Sequence, residues 1–549
     1  MLIQIKNLNK SIEVNYGISL SEIIQNENIT LPYPILGALI NNQVRALQYK
    51  IHKPCSIEFF DITSTYGNGV YTRSLYFILL KSVKALFPEA KLNILHSISG
   101  GKYCEIENLN HPLDESVLQA IKNKMDEIIA ADLPFAREEV LCNEAEELFK
   151  KQGIEKEKSI FRETNKMYLT IYQLDGVTNY YYGSLLPSTG YVKLYGLELY
   201  EHGLLLKIPN RKRPDTISQT RKMPKLFHVY QQFKEWGNQL GIPYIYNLNE
   251  KIDAGNIGEL ILTSEALQEK VWANVADEIH RRNAKMALIS GPSSSGKTTS
   301  CKRLSVQLSV IGYHPVQISV DDFFVEREQT PRDKNGDYDF ETLEAIDLKL
   351  FNETLEQLLA GKEVELPVFN FQTGKKEWKG KKIAMKENSI LVVEGIHCLN
   401  PKLTSSISED TKYKIFVSAL TSLSVDSQNP IPTTDTRLIR RIIRDYNYRG
   451  YSALDTLRRW QSVRDGEEKN IFPYQENADV MFNTSLIYEL SVLRPYAMPI
   501  LVAVPEYEPE YAEAIRLIKF LQFFKPIKDD MIPGTSILRE FVGGSKFSY

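Results

Sequence analysis

The chain has 549 residues, 43% of them hydrophobic and 25% charged, with a formal net charge of −3. That length exceeds what one hydrophobic core supports, and it predicts roughly two to four domains. The near-neutral balance excludes a global basic field that would gather nucleic acid, so any anion site must be local. The five cysteines form no C-x-x-C pair, which argues against a disulfide framework or a thiolate zinc site. No apolar run is long enough to cross a bilayer and the first residues lack a signal-peptide core, so the expected location is the cytoplasm.

In chain order, residues 1–61 alternate at Ile3 and Ile5, can start a helix from Leu20 to Ile24, and read as a strand from Ser56 to Phe60. This suits a small β-grasp domain. Residues 62–225 predict an α+β domain. Its elements are a helix from Val70 to Phe87 with Leu75, Ile78, Leu79 and Val83 on one side, a helix from Glu115 to Ala131, and strands from Tyr168 to Leu174 and Tyr191 to Leu199. The basic, proline-bearing stretch KIPNRKRPDTISQTRKMPK, Lys207 to Lys225, reads as a solvated linker, with a phosphate or RNA contact as the alternative. Residues 226–275 read as linker helices.

From 276 to 505 strands and helices alternate. Strands are expected from Met286 to Ser290, Val316 to Val320, Ile390 to Val393 and Lys414 to Val417, with helices from Thr298 to Ile311 and Asp347 to Leu359. This order predicts a parallel sheet with helices on both faces. Residues 506–549 add an amphipathic helix, Glu508 to Phe524, and an irregular end.

Gly291-Pro-Ser293-Ser294-Ser295-Gly296-Lys297-Thr298 fits G-x-x-x-x-G-K-[ST] without a mismatch, after the apolar strand MALIS and before a helix. Glycines allow successive amides to turn toward phosphate, and the helix offers them its positive end. Lys297 would reach the β- and γ-phosphates, Thr298 would ligate Mg²⁺, and Thr299 continues the cradle. ATP and Mg²⁺ are thus the expected cofactors.

Two acids give the loop something to do. Asp321 and Asp322 end the strand VQISV, where a carboxylate could take a proton from an attacking hydroxyl. Glu394 ends ILVVE, a Walker B position for holding a Mg²⁺-bound water. Arg437, Arg440, Arg441 and Arg444 fall at i, i+3, i+4 and i+7. On one helix face, such like charges cost about 0.2–0.5 kcal/mol per pair. An anion passing over them would remove that cost, which predicts a mobile lid with arginines closing over a triphosphate.

These motifs occur in the order of the phosphoribulokinase/uridine kinase family, and the stretch from Met286 to Tyr488 resembles its uridine/cytidine kinases. The resemblance rests on GPSSSGKTT, SVDDFF, YDFETLEAID, LPVFNF, VVEGIH and TDTRLIRRIIRD. It implies an α/β P-loop kinase acting on a nucleoside 5′-hydroxyl. By position, Asp321 is then the base, Glu341 (after Phe340) holds ribose hydroxyls, Phe324 and Phe340 line the substrate pocket, Arg441 and Arg444 act from the lid, and Glu394 lies on the metal side. The family's base-reading histidine is Gly374 here, its tyrosine after the catalytic acid is Phe324, and its amide after the lid is Arg459. The transfer machinery is kept while the base pocket is altered.

Residues 1–61 resemble the TGS domain of threonyl-tRNA synthetases through GALINNQVRALQYKI, and VYTRSLYFILLKSVKALFPEAKL resembles their editing domain. The editing domain's H-x-x-x-H is replaced by Arg73 and Phe77, and Pro187-Ser-Thr-Gly190 stands near its later cysteine-and-histidine motif. Metal-dependent hydrolysis is therefore not expected. The expected partner is a small molecule, with RNA contact through the N-terminal half and homo-oligomerisation left open and no membrane. The alternatives to a nucleoside kinase are an RNA-binding regulatory ATPase and a kinase of a non-nucleoside alcohol.

Overall fold

A computed structural model describes residues 1–549 apart from 155–158, 165, 333–335, 337, 371, 422 and 549, and the side chain of 381. The last residue of LPVFNF, at 371, therefore lies outside the described residues.

Residues 1–61 form a five-stranded mixed sheet around the parallel pair Leu2–Ile5 and Ser56–Phe60, crossed by the helix Leu20–Asn26. That is the β-grasp arrangement. The helix starts at a capping box, in which Ser19 Oγ accepts from Glu22 N at 3.2 Å and Glu22 Oε2 accepts from Ser19 N at 2.8 Å.

The next helix, Thr65–Leu86, begins earlier than its apolar stripe because Ser64 Oγ accepts from Gly67 N at 2.9 Å. Leu75, Ile78 and Leu79 share a core with Leu92, Ile94, Leu204 and Leu206 of a four-stranded antiparallel sheet. The strand expected from Tyr191 to Leu199 is confined to Gly196–Tyr200. Ahead of it, Lys193 N and Leu194 N both donate to Tyr71 Oη at 3.0 Å, so they are taken from any ladder.

The stretch from Lys207 to Lys225 is only in part the solvated linker expected: Gln219 to Lys222 is exposed and irregular, while its first part is structured. Lys207 is fully buried and donates to Ser218 O at 2.8 Å, and Pro209–Asn210 pairs with Arg213–Ile217. Arg211 reaches Gln461 at 2.9 Å, Lys212 reaches Asp465 at 3.0 Å and Lys225 reaches Glu476 O at 3.0 Å. Its cations tie the two halves of the chain together.

Helices Pro224–Gln239, Ile245–Asp253 and Ile257–Arg281 follow. The third packs Trp272, Val275 and Ile279 against Leu304 and Leu308 beneath a five-stranded, all-parallel sheet. Its strand order is His314–Ser319, Ser389–Glu394, Met286–Ser290, Lys412–Ser418, Val480–Asn483. Met286, Leu288, Leu391 and Val393 face the opposite layer, with Phe351 and Leu355 of the helix Leu348–Leu359. Both faces are covered, as near-continuous apolar strands require.

The two halves share apolar interior. Phe149, Phe161 and Ile171 lie in one cluster with Leu438, Ile442, Leu517 and Phe520. Ile94 N donates to Ser427 O at 2.8 Å and Asn429 Nδ2 to Tyr180 O at 3.1 Å. The helix Tyr511–Leu521 is part of this interior. The end expected to be irregular holds a short helix, Arg539–Val542. No helix among the described residues is long and apolar enough to cross a membrane.

Candidate phosphotransfer site

Three neighbouring parallel strands end together, and each delivers one expected group: Ser290 leads into the Gly291 loop, Glu394 closes its strand, and Ser319 leads into the turn carrying Asp321. Gly291 is compelled, since a Cβ would collide with the Val417 carbonyl. Ser294 at φ +58° and Gly296 at φ +81° turn left-handed and curl the loop. The hydroxyls of Ser294 and Ser295 are buried without a partner. Lys297 Nζ folds across the loop, donating to Gly291 O at 3.0 Å and Pro292 O at 3.2 Å. Its partners are neutral carbonyls, which an anion can displace.

Thr298 Oγ1 donates to Glu394 Oε1 at 3.3 Å, as does Ser319 Oγ. A hydroxyl beside a carboxylate, with water able to complete the shell, is a donor set that fits Mg²⁺. Among the described residues no cluster of three or more histidines, cysteines or acids could hold a metal. Any cation here would rest on this pair, water and phosphate oxygens. Burial pushes the Glu394 carboxyl up to about 7; Asp321 adds to that and Lys297 opposes it.

Asp321 opens to solvent on the turn Val320–Phe323, two residues past its strand, which stops at Ser319 rather than Val320. Crowding by the cleft walls raises its carboxyl above the usual range, against the pull of Lys297, Arg449 and Arg444. Asp322 is structural, accepting from Phe369 N at 3.3 Å. Glu341 is half-buried. Burial pushes it up to about 7, Glu467 and Asp321 push the same way, and Arg441 and Lys297 oppose. Gly466 abuts it, with no room for a Cβ. Phe324 is only 5% exposed and packs in the core, its ring 5.6 Å from Phe340 and 5.5 Å from Phe369. Phe340 is the more open of the two expected pocket aromatics. Gly374 lies in a hairpin turn at φ +72° with Arg327 packed over it. Arg459 is exposed, 5.0 Å from the Tyr451 ring.

The arginine stripe divides. Arg437 is buried in an ion pair with Glu467, and Arg440 in one with Glu489, its Nη2 2.8 Å from Oε2. They also brace the loop through Ser293 O at 3.2 Å and Ser294 O at 3.4 Å. The expectation of four arginines free to meet an anion is therefore corrected to two. Arg441 donates to Ser293 Oγ at 2.9 Å and to Asp445 at 3.1 Å. Arg444 sits 3.9 Å from Asp445 and 4.0 Å from Glu540, its guanidinium lowered to about 10 by burial. The helix carrying them, Thr433–Arg449, buries Leu438, Ile439, Ile442 and Ile443, so it is an anchored wall rather than a free lid. Glu467, Glu489 and Glu540 escaped the sequence reading, because the partner of each lies far away in the chain.

A glycine-rich loop between a central parallel strand and its helix, with carboxylates at the adjoining strand ends, defines a P-loop phosphotransferase domain. Residues 287–487 match the Phosphoribulokinase / Uridine kinase family and form a domain of that family. A uridine kinase from Schizosaccharomyces pombe is 30% identical over 194 residues, 35% of this chain and 38% of that protein. The N-terminal region matches threonine–tRNA ligases. The ligase of Desulforamulus reducens is 30% identical over 182 residues, 33% of this chain but only 28% of its own length. Among solved structures, a possible uridine kinase from Bacillus stearothermophilus aligns at 21% identity and TM-score 0.24, over 36% of this chain and 89% of that one. A putative fructose transport system kinase from Silicibacter aligns at 15% identity and TM-score 0.26, over 38% and 98%.

Proposed function

We propose that the C-terminal half transfers the γ-phosphoryl group of ATP, with Mg²⁺, to the 5′-hydroxyl of a nucleoside. The observation that carries this reading is the convergence at one mouth of Lys297, the Thr298–Glu394 pair and the solvent-open Asp321. Asp321 takes the proton of the acceptor hydroxyl, and its raised basicity suits that step. Glu341 accepts from the ribose hydroxyls. The loop amides and Lys297 hold the phosphates, and Arg441 and Arg444 balance charge on the transferred group. Mg²⁺, when bound at Thr298 and Glu394, neutralises and orients phosphate oxygens. The uridine kinase relative supports a nucleoside acceptor. Gly374, the buried Phe324 and the exposed Arg459 leave the base open. The five unpaired cysteines fit a reducing, cytoplasmic setting. We take 276–505 as the catalytic domain, with 1–61, 62–225, 226–275 and 506–549 as the other units. Purified protein assayed for ADP release across a panel of nucleosides tests the reading. Turnover only with a non-nucleoside alcohol would replace it.

RNA contact through the N-terminal half is a second reading, favoured by a cleft of about 1970 Å³ between the halves. Arg45, Arg73, Lys166 and Lys519 line it beside Tyr172 and Trp460, with acids including Glu139, Glu468, Glu510 and Glu513 elsewhere on its wall. Cations interleaved with aromatics suit single-stranded nucleic acid. RNA affinity that fails to fall with salt would exclude it.

A further inference from the structure

The C-terminal segment lies outside the residues that match the kinase family, yet it reaches the heart of the site. Ile537 packs on Gly296, whose missing Cβ leaves the space that its side chain fills. Glu540 Oε2 accepts from Thr299 Oγ1 at 2.6 Å and from Thr299 N at 3.3 Å. Thr299 is in the first turn of the helix Lys297–Val310, where backbone amides lack helical partners and attract anions. The other carboxylate oxygen lies 4.0 Å from Arg444. One tail carboxylate thus stands against an amide of the helix that follows the phosphate loop and an arginine of the wall helix together, the two kinds of group a nucleotide phosphate would need. Glu394 stands close enough to feel its charge, so a phosphate arriving beside Glu540 would meet repulsion. The tail is held by the same helix that carries the arginines: Asn447 Nδ2 donates to Phe541 O at 3.0 Å, and the Arg440 guanidinium lies 5.1 Å from the Phe541 ring.

We propose that Glu540 is a built-in phosphate surrogate: its carboxylate occupies the nucleotide end of the loop, and nucleotide binds by displacing that carboxylate from Thr299 and Arg444. This rests on the loop being a nucleotide site, as proposed above. Displacement frees Arg444 for the transferred group, so nucleotide binding and release of that arginine become one event. Ile537, Leu538 and Phe541 are buried in the interior shared with the N-terminal half, so the backbone of the tail stays and only the Glu540 side chain has to swing away.

The test uses the full-length protein, its Glu540→Gln variant, and Ile537→Ala as a second way to loosen the tail without touching Thr299. Titration with a non-hydrolysable ATP analogue and Mg²⁺ is read by calorimetry, and hydrogen exchange follows the 536–545 peptide. Glu540→Gln should bind about tenfold tighter, the difference between a charge-assisted and a neutral hydrogen bond. In the wild type that peptide should exchange faster once nucleotide is added. Equal affinity in wild type and variants, with unchanged exchange, would reduce Glu540 to a helix cap and overturn the proposal. Weaker binding by Glu540→Gln would overturn it as well. Absence of binding in all three proteins would instead remove the nucleotide reading, and this one with it.

Discussion

Glu467→Gln removes one charge, and almost no volume, from beneath the phosphate loop. The wild-type carboxylate is fully buried and takes both terminal nitrogens of Arg437, the amide of Ser293 at 3.0 Å, and Arg464 at 3.4 Å. The Arg437 side chain is 2% exposed, so losing its partner leaves an uncompensated buried cation, at a cost of about 3–5 kcal/mol. Arg464 then faces Arg437 with no anion between them, which favours the upper end. At about 2–4 °C per kcal/mol for a domain of this size, the kinase half should melt roughly 6–20 °C lower. Glu468→Gln is the matched control, since Glu468 is 54% exposed and pairs only at 3.6 and 3.9 Å. Its loss should cost less than about 1 kcal/mol. Scanning calorimetry reads both variants, and nucleotide titration reads the loop, whose Ser293 amide loses its acceptor. If Glu467→Gln melts within about 2 °C of the control, the buried-pair reasoning is wrong.

Asp321→Asn should lower kcat by about 10²–10⁴ while leaving the affinity for an ATP analogue unchanged; wild-type turnover would strip Asp321 of its role. Glu341, at about 7 in the folded chain, holds a proton that the unfolded chain has lost above about 4.3. Its ionisation therefore erodes stability as pH rises through that window, with a constant penalty beyond it. Glu341→Gln should lessen the fall of the melting temperature between about pH 5 and 7.5, leaving the share that Glu394, also at about 7, contributes, and an unchanged slope would contradict the assignment. Gly291→Ala should abolish nucleotide binding, because its Cβ would meet the Val417 carbonyl, and a variant that binds normally would show that the strand end yields. If the inter-half cleft holds RNA, Arg45→Glu and Lys519→Glu should each reduce the salt slope of binding by about 1, which filter binding across salt concentrations would detect.

The strands and helices around the loop were readable because their patterns are local. The first four residues of MALIS are apolar because its strand is buried on both faces, and Asp347 caps the helix Leu348–Leu359 by accepting from Leu350 N at 3.1 Å. The loop itself was legible for the same reason, since its geometry is set by contiguous residues. What the sequence hid depends on distant partners. The i, i+3, i+4, i+7 spacing placed four arginines on one helix, but the acids that claim Arg437 and Arg440 lie 30 and 49 positions away. The basic stretch after Lys207 resembled a linker because its composition is polar, while its acceptors, Gln461, Asp465 and Glu476, belong to the other half of the chain. Phe324 occupies a family pocket position, but its surroundings, not its type, determine that it packs in the core.

These distant partners also decide how the site can close. Swinging the helix Thr433–Arg449 as a rigid lid would draw Leu438, Ile439, Ile442 and Ile443 out of an interior shared with the N-terminal half. At about 1.5–3 kcal/mol for each buried side chain, that movement costs about 6–12 kcal/mol, comparable with the whole stability of a domain. Phosphate binding cannot offset so much and still leave useful affinity. Closure must therefore come from parts held less firmly. Arg441 rests on a single serine hydroxyl and on Asp445, Arg444 on two acids no nearer than 3.9 Å, and the Glu540 carboxylate on Thr299 and Arg444. The N-terminal half, by fixing the helix's apolar face, turns what would be a swinging lid into a fixed wall across which two arginines and the Glu540 side chain rearrange.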